Sequence, residues 1–391
     1  MDGAVDTVSV AIVLLSFAVS LLAFGFVRRL DRMLFRPAFW VGAAIATSAA
    51  CLLLLLTFYR ILPIAGPSRL LFVRCGMVFI GLGAGALVQC CASAFACLRP
   101  VSMVVGFSLA CVVMFIAYFT LAMGRAANGI AAGVGFCLLP FIASLFLRNS
   151  QAIITTRLSL WPPKSSVYAS GYVAMCLSFG VFSFAMAAKA AMEPVWEFAV
   201  ASDTSVVAIL LISLLFLYLV AVKAKPVRTF KLLKVVYSLA VVLLTVCIAL
   251  QRLSLDPFMT IAFNADCILL IMVLFLLTTF VANANEAYVC KVAGIAFAAA
   301  AVGMALGWVS CKLIYAHFGH DRVYFTIAIA CATAVFTSTS FSSRNFPYLT
   351  TSGEADVYKK LGVHSHAELL DVCEKFRKDE TAASCGTTSR N

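Results

Sequence analysis

Apolar runs long enough to cross a bilayer recur from one end of this chain to the other, and they constrain the fold more than any other feature. A hydrocarbon core about 30 Å thick is spanned by about 20 helical residues. Runs of that length follow one another here, separated by short polar segments. Inside lipid only helices and closed barrels satisfy their own backbone groups, and these runs are too long for barrel strands. Composition agrees. Of 391 residues, 63% are hydrophobic and 12% charged, against about 25% charged in soluble domains. The chain is expected to be all-α and polytopic, with the lipid bilayer as its main partner.

The pattern predicts about eleven spans: Val5–Val27, Phe39–Phe58, Leu70–Cys97, Val101–Met123, Gly129–Leu147, Val167–Ala188, Thr204–Val222, Leu232–Leu250, Met259–Val281, Tyr288–Ile314 and Val323–Phe341. The loops between them divide by charge. The first holds Arg28, Arg29, Arg32 and Arg36. The fifth holds Arg148, Arg157 and Lys164, and the seventh Lys223, Lys225, Arg228, Lys231 and Lys234. The sixth sets Glu193, Glu197 and Asp203 against Lys189. Odd-numbered loops are the richer in Lys and Arg, which places them in the cytoplasm. The N-terminus is then outside, the C-terminal tail inside, and the plasma membrane the expected location. The first run has basic residues after it and none before, so it reads as a span and not as a cleaved signal. The net charge of +12 follows from this loop placement and gives no reason to invoke nucleic acid. Fifteen cysteines stand scattered through apolar runs. They form no CxxC and no Cys/His cluster, so neither a zinc site nor a disulfide framework is expected.

The longest loop contains Trp161-Pro162-Pro163, which cannot be helical throughout. It separates a five-helix group, residues 1–147, from a six-helix group, residues 167–343, with 148–166 as a cytoplasmic linker. This plan resembles the major facilitator superfamily, which has two six-helix bundles joined by a cytoplasmic loop. That family carries an Asp-Arg motif with following basic residues after its second helix. Here Asp31, Arg32 and Arg36 fit that pattern, while Val27 and Leu34 replace the family's glycines. The resemblance implies a two-bundle arrangement in which this chain begins at the family's second helix.

Asp266 stands out, near the middle of the ninth run with Asn264 two residues before it. A carboxylate at that depth costs about 2.5–3.5 kcal/mol on insertion scales and often marks a substrate or proton path. The bland reading is a neutral Asp bonded to a neighbouring helix. Arg74 is a second cavity candidate, although its position near a helix end lets it snorkel to the interface. Gln89 ranks below both, because a backbone carbonyl can satisfy an amide. Gly81/Gly85, Gly129/Gly133 and Gly303/Gly307 have the spacing of close helix packing, within one chain or in a homodimer. His317 and His320 lie near Asp321 without a third ligand, so no metal is expected. No Walker loop, catalytic triad or nucleotide fingerprint occurs, so neither enzyme activity nor a cofactor is expected.

After Phe341 the chain turns polar. Tyr358, Lys360, Leu361, Gly362, Val363, His364, Ser365, Glu368, Leu369 and Asp371 spell a helix end, a turn and a capped helix start. Gly362 suits a C-cap, and Ser365 with Glu368 forms a capping box. These residues closely resemble the end of the LuxR-type helix-turn-helix domain. The family's opening and scanning helices have no counterpart, and Tyr348 to Asp356 lacks the residues that read a groove. The tail, residues 344–391, is therefore expected to hold a short helical remnant. DNA would be a partner only if another chain completed it. The resemblance implies a membrane-embedded sensor and transcriptional regulator of the LuxR type, lacking most of its DNA-binding domain and answering an unknown small ligand. The alternative is a major-facilitator-like secondary transporter of a small solute.

Overall fold

The computed structural model describes residues 7–27, 36–58, 67–96, 170–191 and 289–339 as continuous stretches, with short runs and single positions between them, mainly within 105–138, 235–246 and 270–279. Six helices fill the continuous stretches: α1 (Thr7–Phe26), α2 (Pro37–Phe58), α3 (Pro67–Ala96), α4 (Ser170–Ala190), α5 (Val289–Phe318) and α6 (His320–Thr339). Each falls on an expected span and differs from it by a few residues at either end. Five of the six are long and apolar enough to cross a membrane. The sixth, α6, opens on His-Asp-Arg, and its apolar part runs from Arg322 to Ala334.

The boundaries have local causes. Pro37 and Pro67 open α2 and α3, where a missing N–H costs nothing and the fixed φ suits a first turn. Gly319 separates α5 from α6 with φ 77°, and its N–H bonds Tyr315 O at 3.2 Å. That left-handed cap allows one residue to reverse the chain. Both α3 and α5 have 30 residues, or about 45 Å of helix. Each exceeds the hydrocarbon thickness, so tilt or emergence from the core is built in.

Buried hydroxyls in these helices bond back to their own turns: Thr47 to Ala43 O at 2.7 Å and Thr57 to Leu53 O at 2.8 Å. Lipid offers such groups no partner, so the helix supplies one.

The helices pack in the order α2, α3, α1, α5, α4, α6, each touching the next. The helices before the expected linker, α1 to α3 (the first group), therefore meet those after it, α4 to α6 (the second group), mainly through α1 against α5. Small residues make the contacts close. A Cβ on Gly303 would strike Gly180 O, and one on Gly307 would strike Phe184 O. Gly81 and Gly85 do the same work against Ser16 and Ser20 of α1. Two of the three glycine pairs thus pack helices of the same chain; Gly129/Gly133 lies outside the described residues. In lipid, where burial of apolar surface gives no driving force between helices, such van der Waals contact is what holds them.

Contact pairs fix the helix directions. Gly81 meets Val13 to Phe17, and Gly85 meets Phe17 and Ser20, so α1 and α3 are parallel. Gly25 meets Cys290 and Gly294 meets Leu21, so α5 runs against α1. Gly180 meets Ala299 and Gly303, and Phe184 meets Gly307, so α4 and α5 are parallel. These are the directions that alternation assigns to the first, third, sixth and tenth spans. One end of the molecule therefore gathers the C-termini of α1, α3 and α6 with the N-termini of α4 and α5.

The larger core lies in the second group and along its seam with α1. Phe179 and Phe182 of α4 both meet the ring of Tyr237 edge-on, at 5.1 and 5.7 Å. A smaller core, at the end just named, contains Phe24, Trp40, Ala86, Cys90 and Cys290.

Candidate functional site

The smaller core encloses a polar junction built around Gln89. This residue lies on α3, fully buried. Its Nε2 donates to Leu21 O of α1 at 3.1 Å and to Cys290 O of α5 at 3.0 Å. One turn along α3, Ser93 Oγ lies 3.2 Å from Cys290 Sγ. Next to Cys290, Lys291 Nζ sits over the Phe26 ring, 5.4 Å from its centroid. Three helices from two groups thus share one amide. A single amide in an apolar span signals only that some acceptor must exist. That it would find two, on two different helices, depends on packing.

The second group holds its own polar links. Tyr172 OH donates to Val292 O at 2.6 Å. Ser178 Oγ lies 2.7 Å from Tyr237 OH and donates to Ala334 O at 3.1 Å, tying α4 to α6 and to the segment that carries Tyr237. Ser183 Oγ on α4 and Trp308 Nε1 on α5 are buried without a hydrogen-bond partner.

Of the residues singled out by sequence, Arg74 is half-buried on α3, four turns before Gln89 and in the other half of the helix. It does not join the junction. Arg36 is exposed and stands immediately before α2, where its carbonyl accepts from Phe39 N at 3.0 Å. Asp31, Arg32, Asn264, Asp266 and the tail residues Tyr358 to Asp371 lie outside the described residues. His317 is exposed in the last turn of α5. Among the described residues no three His, Cys, Asp or Glu side chains come together as a metal site.

Two cations were missed or misplaced by the sequence reading. Lys189 belongs to the last turn of α4 rather than to the following loop, and is 2% exposed. The helix continues through Ala187-Ala188 with nothing to stop it, which was the available signal. Lys291 lies in the first turn of α5. The helices α1 to α5 hold Arg69, Arg74, Lys189, Lys291 and Lys312, and no Asp or Glu.

No family model and no curated protein matches this sequence. Among solved structures the human organic anion transporter MFSD10 (TETRAN) is similar, at TM-score 0.55 and 12% identity, over 86% of this chain and 83% of that one. At that identity the similarity is one of fold. This chain is a multi-pass membrane protein, helical in its described residues, whose fold is similar to that transporter's.

Proposed function

We propose that the protein is a secondary transporter of small organic anions. The observation that carries this reading is the fold match over most of both chains. The charge distribution supports the substrate class. Within α1 to α5 the Lys and Arg side chains have no Asp or Glu among them, and Arg74, Lys189 and Lys291 lie at least partly out of solvent. A cation held in low dielectric attracts an anion far more strongly than one in water. Asp266, in the ninth expected span, is the candidate for coupling transport to a proton. Fold alone does not assign function, so uptake must be measured directly.

The purified protein would be reconstituted in liposomes and tested with radiolabelled monocarboxylates, dicarboxylates and aromatic acids, with a neutral sugar and an amine as controls. Saturable uptake of one of the acids is expected. Protein that is folded and correctly reconstituted but moves none of the acids above empty liposomes would overturn the reading. The sensor-regulator reading rests on tail residues 357–372 alone, and no comparison supports it. A sequence-selective DNA footprint by the full-length protein at about 0.2 M salt, where non-specific phosphate contacts weaken, would restore it.

A further inference from the structure

Gln89 holds its two N–H groups and its oxygen in opposite circumstances. Both acceptors of Nε2, Leu21 O and Cys290 O, are main-chain carbonyls, which fixes the amide with its nitrogen toward them. The other end, Oε1, is buried and has no hydrogen-bond partner. The surroundings are shaped to let the amide in. A Cβ on Gly294 would lie 2.7 Å from Nε2 and 2.7 Å from Leu21 O. A Cβ on Gly25 would lie 3.2 Å from Cys290 O.

We propose that Gln89 is a releasable clasp that holds the two helix groups shut at the end where α1 and α3 finish and α5 begins. The first group supplies the amide and one acceptor; the second supplies the other acceptor, Cys290 O. Moving α5 away from α1 and α3 breaks the bond to Cys290 and opens a path for water. The idle oxygen is what makes the clasp releasable. Buried carbonyl oxygens are nearly always paired, because an unpaired one costs more than a hydrogen bond returns. Here the closed junction gains two bonds through the nitrogen and leaves the oxygen unsatisfied. Water entering the open junction satisfies the oxygen and the released N–H together. The two arrangements are thereby brought close in free energy, which is what a two-state element requires. The inference rests on this junction and is independent of the transport reading.

Thiol alkylation reads the clasp without any solute. Cys90 and Cys290 flank Gln89 in the smaller core, and both are buried. Cys176 and Cys331 are buried within the second group and serve as controls. Full-length protein in phospholipid nanodiscs is treated with N-ethylmaleimide, and each cysteine is followed by peptide mass spectrometry. In the wild type, Cys290 should react slowly but faster than Cys331. Gln89→Leu and the unbranched Gln89→Met remove the idle oxygen along with the bonds, so the closed junction buries no unpaired amide atom and the open one gains nothing from water; each should lower the rates at Cys90 and Cys290 by about tenfold. Cys176 and Cys331 should not change. Three results would overturn the proposal: unchanged or raised rates at Cys290 in both variants, an equal change at all four cysteines, or failure of both variants to reach the folded state. The last two would make Gln89 part of a permanent core.

Discussion

At the scale of single residues, close contacts between backbones decide what can be changed. Gly303 faces the carbonyl of Gly180 across the α4/α5 contact, whereas a Cβ on Gly42 would meet nothing within 4 Å. Backbone cannot swing aside as a side chain can, so Gly303→Leu should force the helices apart. We expect it to lower stability by about 1–3 kcal/mol, the usual cost of overpacking. Gly42→Ala should be neutral or slightly stabilising, because Ala is the better helix former. Thermal unfolding of both variants in the same detergent checks the contrast, and equal melting temperatures would contradict the packing described. A second residue-scale prediction concerns Asp266. If this carboxylate carries a coupling proton, Asp266→Asn should abolish proton-driven uptake while leaving membrane insertion and solute exchange intact. Uptake driven by an imposed pH gradient measures the first, and counterflow of preloaded solute the second. Full proton-driven uptake in the variant would return Asp266 to a structural role.

At the scale of elements, the turn between α5 and α6 is the clearest test. These helices reverse direction across Gly319, which has φ 77° and open space around it. Side-chain size is therefore irrelevant there, and backbone conformation alone sets the cost. Gly319→Ala should destabilise by about 1 kcal/mol, and Gly319→Asn by less, since Asn tolerates the left-handed region best after Gly. Chemical unfolding in mixed micelles would measure the order, and an Ala variant more stable than the Asn one would show that the turn does not need this conformation. The helices themselves were legible in the sequence because hydropathy fixes a span without any tertiary information. Two starts were placed slightly late, at Phe39 and Leu70, where Pro37 and Pro67 open the helices. The extent of α4 was not legible. Lys189 looked like the start of a polar loop, and only packing shows that a helix can carry it buried.

Across the whole molecule, the directions of the helices put the basic segment between α1 and α2 at the same end as the C-terminus of α6. The positive-inside rule predicts that this end faces the cytoplasm. Reporter fusions after Phe341 should therefore be active on the cytoplasmic side, and fusions before Val5 on the outer side. A tail found outside would reverse the orientation, and with it the assignment of the Gln89 junction to the cytoplasmic end. The same directions also explain how one polar residue can join two groups. The parallel pair α1 and α3 ends beside the start of the antiparallel α5, so a side chain near the end of α3 reaches carbonyls on both neighbours.

The sequence by itself determined that this chain lives in lipid, that it is helical, and where the described helices fall. The span count also anticipated the relative directions of α1, α3, α4 and α5. These properties depend on transfer free energy and on local backbone chemistry, which are written in consecutive residues. Only the tertiary structure decided which helices touch. Gly81/Gly85 and Gly303/Gly307 announced close packing, but the spacing is the same whether the partner is α1, α4 or a second copy of the chain. Gln89 was passed over for the same reason. An amide in an apolar run must find an acceptor, yet whether it ties one helix or three depends on carbonyls 68 and 201 residues away. Such long-range pairings are set by how glycine-lined faces fit together in space, and consecutive residues do not record that fit.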